Sequence, residues 1–473
     1  MDIRNIFCKK LYLLFCLSSF LSLSSCAEKT IDNAALSGPW LMSIFTDAVG
    51  KVQTVMYFEV NADSSGVYPF HAFTEKNMDR KIFGFWRAEA GRMIGSSLKQ
   101  GSIVRIVKGK FSGDSLSGIL TTPFGNFYIH TTVRNGQMSG NLTNGKNNII
   151  GHIKGSKGLP ALPLRNYPAI MDSAIAVTQN KLYDPSILHT PAWEKFKNEM
   201  ARVSKFTEDD AAFVLAFFYF SQKMLPFTHY SLYAPLDQEE DNSLSTDKNV
   251  TLEQKGPKTM YMKVSSFGGS EGEMDTAFSQ IMDKGYDTLI VDLRDNGGGS
   301  IEAGLGFIRH LIKDTLYGGI FLTQKYFINH TLPPGADQYK SFPAFSKANL
   351  SLLYKGISEL PGICLVAYPQ PPVYTGKVYL LVNGNTASTC EPIVYGLKQH
   401  HIATIAGERT AGAMLCGEQY DIKDGFTLTV PVATYYASDG YKIDKRGVEP
   451  DIKVKSADAL DSVLQHGAKQ GIQ

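Results

Sequence analysis

Ser388 lies where a short buried strand is predicted to turn into a helix. Residues 378–382 form an apolar run bounded by Asn-Gly-Asn, which predicts a buried strand followed by a turn. Apolar residues then recur at helical spacing from Ile393 to Leu397, and Pro392 falls in the first helical turn, where its missing N–H costs little. A serine at such a junction exposes its hydroxyl and faces the positive end of the helix dipole. The position suits a nucleophile if other segments supply a base and donors for an oxyanion.

A second predicted strand, residues 286–293, ends in a run of three glycines. The sequence there reads Asp292-Leu-Arg-Asp-Asn-Gly-Gly-Gly299. Consecutive glycines let backbone N–H groups approach an anion without obstruction by side chains. A phosphate-binding loop would need a Gly-Lys-Ser or Gly-Lys-Thr ending, which this run lacks, and a bare turn is the other alternative. Together with the Ser388 junction, the run is better interpreted as part of an oxyanion hole.

The cysteines and a histidine pair do not predict a metal site. Of six cysteines, three lie beyond residue 26; they are odd in number and lack C-x-x-C spacing, which indicates neither a disulfide framework nor a zinc site. Cys390 follows Ser388 by two residues and is an alternative nucleophile, although its position favours helix packing. His400 and His401 are expected to be exposed at the end of the same helix.

The N-terminal residues have the pattern of an export signal. Three basic residues within the first ten precede an apolar stretch at 11–23, which is too short to span a bilayer comfortably. The following Leu-Ser-Ser-Cys26 is similar to a bacterial lipobox, in which residues 1–25 are removed and Cys26 is lipidated. Plain secretion and an uncleaved anchor are the alternatives. The sequence thus predicts a cell-envelope lipoprotein that is anchored to the membrane and faces the periplasm or the cell surface.

Composition indicates a globular chain without a nucleic-acid partner. The 473 residues are 43% hydrophobic and carry a formal net charge of +2. That length allows about three domains of ~150 residues each. The sequence has no basic stripe of the kind that indicates nucleic-acid binding.

Three folded regions are predicted. Residues 36–158 alternate short apolar runs with turns, which predicts an all-β barrel or sandwich of about eight or more strands, acting as a spacer or a ligand-binding domain. Residues 165–240 predict a helical subdomain. Residues 256–456 alternate strands with helices, which predicts an α/β core with a largely parallel sheet. An exposed loop is expected at 236–255 and a long irregular segment at 314–376.

Four motifs in this core resemble those of the C-terminal-processing (tail-specific) and tricorn-core serine peptidases. Residues 292–299 resemble their D-x-R-x-N-x-G-G signature, and residues 386–391 (TASTCE) resemble their S-A-S-A-S-E motif, with Ser388 at the nucleophile place. Residues 407–412 (GERTAG) and 447–451 (GVEPD) resemble the G-E-x-T-x-G and G-V-x-P-D motifs that follow. The resemblance implies a ClpP/crotonase-like core with a mixed sheet, and a serine-type peptidase that acts on peptides or proteins without a metal or cofactor. The β-domain lies outside it.

The sequence departs from the tail-specific branch at the position of the base. That branch has a lysine just after G-E-x-T-x-G, where this chain has Ala413. The tricorn branch instead takes a histidine and an adjacent serine from the helical region and a carboxylate near the last motif. His229, Thr228 and Asp444 stand at the matching places, with threonine for serine and aspartate for glutamate. The resemblance therefore implies the histidine-base branch.

In that branch Ser388 attacks the peptide carbonyl and His229 takes its proton. An ordinary histidine pKa of about 6.5 suits this role. Thr228 and Asp444 would orient the ring and stabilise its charged form. A structural histidine and a solvated turn acid are the alternatives for His229 and Asp444.

The oxyanion is expected to be held by backbone N–H groups of Gly298 and Thr389, with the choice among the three glycines open. Because Thr228 replaces a serine and Asp444 replaces a longer glutamate, a second hypothesis stays open. It is a peptide- or ligand-binding lipoprotein on a catalytically degenerate peptidase scaffold.

Overall fold

The computed structural model describes residues 36–46, 50–58, 70–72, 105–122, 125–145, 149–158, 165–205, 207, 210–235, 249–346 and 349–470. The predicted signal and Cys26 lie outside the described residues. The chain divides into two compact units, Met1–Leu164 with Glu208–Ala211 and Arg165–Thr207 with Ala212–Gln473. The helices predicted as a subdomain therefore belong to the same unit as the α/β core.

One antiparallel sheet makes up the described part of the first unit, as the alternation of apolar runs and turns predicts. Its strands are β1 Gly38–Thr46, β2 Gly50–Phe58, β3 Phe70–Ala72, β4 Arg105–Ser112, β5 Ser115–Thr122, β6 Gly125–Arg134, β7 Gln137–Thr143 and β8 Ile149–Lys157. They are ordered β3-β2-β1-β8-β7-β6-β5-β4. No pairing joins the end strands β3 and β4 among the described residues, so the strand path is open there.

Local sequence explains the register of this sheet. Asn135 and Gly136 have φ values of 50° and 69°, the left-handed conformation that a two-residue hairpin turn between β6 and β7 requires. Ile129 and Leu142 face each other across that hairpin, and each is 1% exposed. Alternate residues thus pack on one face while the others meet solvent.

Helices open the second unit, in agreement with the sequence. They are α1 Tyr167–Lys181, α2 Pro191–Ser204 and α3 Asp210–Met224. Asn166 caps α1 by accepting from Ala169 N at 3.1 Å. Thr190 caps α2, with proline at the first helical position, where the missing N–H is harmless.

An aromatic cluster fixes the segment that follows α3. Tyr230 is 1% exposed, and its hydroxyl lies 2.7 Å from Thr178 Oγ1 of α1. Its ring contacts the rings of Trp193, Phe196, Phe217 and Phe227. Because His229 immediately precedes Tyr230, the helical layer determines where that histidine lies. The short strand β9 Ser231–Tyr233 comes next.

The first sheet of the core is almost entirely parallel, as predicted. Its strands, in spatial order, are β10 Val250–Gly256, β11 Thr259–Val264, β12 Thr288–Asp292, β16 Lys377–Val382, β17 Ala403–Gly407 and β20 Ile452–Lys453. Only β10 runs antiparallel to its neighbour. Asp292 is in register with Leu381, so the loops after β12 and β16 leave the same edge side by side.

The core has a second sheet, which was not predicted as a separate sheet, and its strand directions are mixed. Its strands are β13 Leu316–Thr323, β14 Ala344–Phe345, β15 Gly362–Ala367, β18 Leu415–Asp421 and β19 Thr427–Ala437, in the order β14-β15-β13-β19-β18, with β9 also on β19. The expectation of a long irregular segment at 314–376 is therefore wrong. Two adjacent glycines and a register shift interrupt β13, which weakens its local strand signal, and its partner β19 lies far along the chain.

The prediction of an exposed loop at 236–255 is also wrong for its last residues, because β10 begins at Val250. β10 is an edge strand whose side chains are largely exposed, so its polar composition is compatible with a sheet.

The remaining helices cover the sheets. They are α4 Glu271–Asp283, α5 Ile301–Arg309, α6 Gln324–Phe327, α7 Leu350–Glu359, α8 Cys390–Gln399 and α9 Ala459–Gln470. α8 agrees with the helical spacing predicted after Ser388. Within the described part of the chain, none of the helices is long and apolar enough to cross a membrane.

Candidate active site

The loops after β12 and β16 are joined by hydrogen bonds. Thr386 Oγ1 donates to Leu293 O at 2.7 Å, and Ala387 N donates to Asn296 O at 3.0 Å. The fully buried side chain of Asn296 also donates to Val264 O at 2.9 Å, which anchors the loop to β11. The glycine run and the serine segment, predicted to act together, are thus held against each other.

Ser388 occupies the predicted turn between β16 and α8. Its φ of 53° is left-handed, its N–H donates to Ala413 O at 3.0 Å, and its carbonyl accepts from Glu391 N at 2.8 Å. A Cβ on Gly298 would lie 2.7 Å from Ser388 Cβ, closer than real Cβ atoms come, so this approach requires glycine. The serine lines a cavity.

Glu391 holds the segment opposite Ser388 in place. This carboxylate is 0% exposed and accepts from Thr410 Oγ1 at 2.6 Å, Gly412 N at 2.7 Å and Ala413 N at 2.7 Å. Since Ala413 in turn accepts the Ser388 N–H, Glu391 fixes the backbone that holds the serine. Burial raises the pKa of Glu391, while these three donors act in the opposite direction.

A hydrogen-bonded chain runs from Asp444 to His229. Thr228 Oγ1 donates to Asp444 Oδ1 at 2.5 Å and lies 3.0 Å from His229 Nδ1. A threonine hydroxyl has one hydrogen, so its oxygen is left to accept from His229 Nδ1. The network therefore assigns the proton to Nδ1 and leaves Nε2 with a free lone pair.

Burial shifts the pKa values of both ends of this chain. It lowers the pKa of His229 from 6.5 to about 4, whereas the sequence suggested an ordinary histidine. It raises the pKa of Asp444, which is 2% exposed and is therefore not a solvated turn acid. Asp444 also accepts from Met414 N at 3.3 Å. His229 is thus neutral near pH 7, the form that can accept a proton.

His229 and Ser388 line the same cavity, and no hydrogen bond joins their side chains. Catalytic contacts are often looser in a free site than in a complex with substrate. Gly417 also lines the cavity, and a Cβ on it would lie 3.7 Å from His229 Cδ2. The absence of a side chain there leaves room for the ring.

The predicted oxyanion donors differ in their availability. The Gly298 N–H donates to Asn296 Oδ1 at 2.9 Å and is therefore already engaged, unlike the prediction. The backbone N–H groups of Gly299 and Thr389 have no partner among the described residues, and both residues line the cavity beside Ser388. Thr389 Oγ1 donates to Gly299 O at 2.7 Å, which ties these two residues together.

The alternative site residues do not join this arrangement. Cys390 is 0% exposed, and burial raises its pKa far above the usual thiol range, so it is a packing residue, not a nucleophile. His400 and His401 are exposed after α8, as expected. No group of histidine, cysteine or acidic side chains in the described ranges could hold a metal ion.

Three residues of the site received no role from the sequence. Asn296 and Glu391 both lie inside the motifs. The signal for Asn296 was a polar residue beside a run of glycines, and the signal for Glu391 was an acidic residue at the start of an apolar helix. Their hydrogen-bond partners come from other segments and are not readable locally. Gly417 gave no signal at all.

A serine on a strained strand-to-helix turn, backbone donors beside it and a histidine oriented by a hydroxyl and a carboxylate are the components of a serine-nucleophile acyl-transfer site. Residues 258–454 match the model of peptidase family S41. That region of the chain is what it shares with this family. The matched region includes Ser388 and Asp444 but begins after Thr228 and His229.

Two curated relatives are named for carboxyl-terminal processing, and one of them is a chloroplast protein. The carboxyl-terminal-processing peptidase 1 of Arabidopsis thaliana is 24% identical over 213 residues, which are 45% of this chain and 36% of that protein. The carboxyl-terminal-processing protease of Synechocystis sp. is 28% identical over 197 residues, 41% of this chain and 38% of that protein. The chain thus spans less than half of either relative.

Among solved structures, a putative peptidase from Parabacteroides merdae superposes with a TM-score of 0.46 at 14% identity, covering 64% of this chain and 96% of that one.

Proposed function

We propose that the protein is a cell-envelope serine peptidase that cleaves peptides or proteins through an acyl-enzyme on Ser388. The observation that carries this proposal is the hydrogen-bonded chain Asp444–Thr228–His229, which ends in the cavity that Ser388 also lines. This chain leaves His229 Nε2 unprotonated at neutral pH. The relatives are named for carboxyl-terminal processing, which supports a protein or peptide substrate.

The proposed reaction uses only groups of the protein and water. Ser388 Oγ attacks the scissile carbonyl as His229 Nε2 takes its proton, and the imidazolium returns that proton to the leaving amine. Water, deprotonated by the same nitrogen, then hydrolyses the ester, and the imidazolium returns its proton to Ser388 Oγ as the acid product leaves. Thr228 and Asp444 keep Nδ1 protonated and stabilise the transient charge on the ring.

We assign the oxyanion to the backbone N–H groups of Thr389 and Gly299. Thr389 is at the N-terminus of α8, so the helix dipole also favours negative charge there. Gly298 is required for the close approach to Ser388, and its own N–H supports the loop through Asn296.

Labelling with a fluorophosphonate tests this function directly. A serine with a working base reacts with the probe, and Ser388→Ala should lose both labelling and peptide hydrolysis while retaining the same far-UV circular dichroism. Cys390→Ser is the matched control and should still be labelled. Absence of labelling in the wild-type protein would favour the alternative of a peptide-binding lipoprotein on a degenerate scaffold. Labelling that survives Ser388→Ala would refute the assignment of the nucleophile.

A further inference from the structure

A cavity of about 220 Å³ is lined by Ser388 and His229 and extends among strands of the second sheet and three helices. Its walls come from α5, α7, α8, β13, β15, β18 and β19. Most of the lining consists of aliphatic and aromatic side chains, such as Leu305, Ile308, Phe321 and Leu353. The cavity therefore extends from Ser388 into the hydrophobic core.

The hydroxyls of the two wall tyrosines are satisfied within the protein. The Tyr354 hydroxyl donates to Gly417 O at 2.8 Å, and the Tyr435 hydroxyl donates to Gly318 O at 2.5 Å. Burial raises the pKa of Cys416 to about 12, which keeps its thiol neutral. Among the described lining residues there is no Asp, Glu, Lys or Arg. A charged or strongly polar guest would lose its hydration and gain no partner.

The cavity is large enough for a bulky side chain. A dry apolar cavity of roughly 150 Å³ accommodates benzene, and this one is about 220 Å³. Two wall positions keep it open because they lack a side chain. A Cβ on Gly304 would lie 2.7 Å from Thr389 Cγ2, and a Cβ on Gly318 would lie 3.7 Å from Leu365 Cβ. The contact at Gly304 would disturb an oxyanion donor, whereas Gly318 has room for a larger residue directed at the wall residue Leu365.

We propose that this cavity is the specificity pocket for the residue whose carbonyl Ser388 attacks, and that it selects a large apolar side chain of the size of leucine, methionine or phenylalanine. Charged residues are excluded by desolvation, and alanine leaves the pocket largely unfilled. The inference rests on the function proposed above, because it takes Ser388 as the nucleophile.

Cleavage of a randomised synthetic peptide library, read by mass spectrometry, tests the pocket. The residue before each cleaved bond should be leucine, methionine or phenylalanine, with charged residues depleted. Gly318→Leu should reduce kcat/KM for a leucine or phenylalanine substrate by roughly 10- to 200-fold, the range that pocket volume commonly controls, and should spare the matched alanine substrate. Gly256→Leu, at the exposed edge strand β10, is the matched control and should change neither.

Ala367→Leu, on the β15 wall of the cavity, provides a second filling variant if Gly318→Leu does not fold. Cleavage with no apolar preference, or equal losses for leucine and alanine substrates in the folded filling variants, would overturn the pocket while leaving the peptidase intact. If fluorophosphonate fails to label wild-type Ser388 and no peptide is cleaved, the proposed function fails and the pocket assignment with it.

Discussion

Backbone strain is concentrated at the residues proposed to do chemistry. Seven described non-glycine residues have a positive φ, and Ser388 and His229 are two of them. Two more, Asp295 and Lys445, lie beside the glycine run and Asp444. Non-glycine residues adopt this conformation only when surrounding contacts hold them there, at a cost of about 1–3 kcal/mol each. The site is therefore a place where the fold stabilises otherwise unfavourable geometry.

The pH dependence of catalysis should report the buried environment of His229. Because neutral imidazole is the reactive form, kcat/KM is expected to rise through a pKa of about 4, below the ordinary value of about 6.5. Rates measured across the pH range with a substrate free of titratable groups check this. His229→Ala should lower kcat/KM by roughly 10²–10⁴-fold and remove the titration. Asp444→Asn should fold, lose less activity and keep an acid limb.

Folding stability should follow the same histidine. The unfolded chain binds a proton below pH 6.5, while the folded chain does so only below about 4. His229 thus contributes stability that is fully present above pH 6.5 and is lost as the pH falls towards 4.

A kcat/KM profile that rises only above pH 9 and survives His229→Ala would instead point to a lysine base, and the histidine branch would be wrong.

At the scale of elements, α8 and the segment before β18 are coupled through one carboxylate. Glu391→Gln keeps an oxygen for Thr410 Oγ1 and Gly412 N but turns an amide hydrogen towards Ala413 N. Leaving that buried N–H unpaired costs about 1–3 kcal/mol. The shift should displace Ala413 O, which holds the Ser388 N–H. We expect kcat to fall by about 10–100-fold with little change in KM.

Thermal unfolding measured beside the kinetics separates positioning from general damage. Glu253→Gln, on the exposed face of β10, is the matched control and should alter neither the melting temperature nor kcat. If Glu391→Gln lowers the melting temperature but leaves kcat unchanged at a temperature where it is folded, Glu391 is a structural residue only.

The parallel sheet and the serine junction were predictable because their signals are local. The apolar run before Asn383, the turn and the helical spacing after Ser388 lie in one short stretch, and parallel strands bring their carboxyl ends to one edge. β13 was not predictable, because its strand character depends on pairing with β19. The clamp by Glu391 and the bond from Thr389 to Gly299, 90 residues away, depend on the finished fold in the same way.

At the scale of the whole molecule, the candidate site belongs to one unit. Thr228, His229, Ser388 and Asp444 all lie within Arg165–Thr207 with Ala212–Gln473, and the eight-stranded sheet lies in the other unit. The peptidase family match also falls wholly inside the second unit. Membrane attachment, proposed at Cys26, and catalysis, proposed at Ser388, are therefore assigned to separate parts of the chain.

This separation makes a prediction for the protein expressed with its N-terminal residues in a bacterial host. Cys26→Ser removes the thiol that a lipid would modify, and two or more acyl chains provide most of the affinity of such an anchor, at about 0.8 kcal/mol per buried CH₂. The variant should move from the membrane fraction to the soluble fraction, while fluorophosphonate labelling of Ser388 and kcat/KM for a soluble peptide remain within about twofold of wild type. Ser25→Ala, which keeps the cysteine, is the control and should stay with the membrane. If Cys26→Ser still sediments with membranes after a salt wash, lipid attachment at Cys26 is not the anchor.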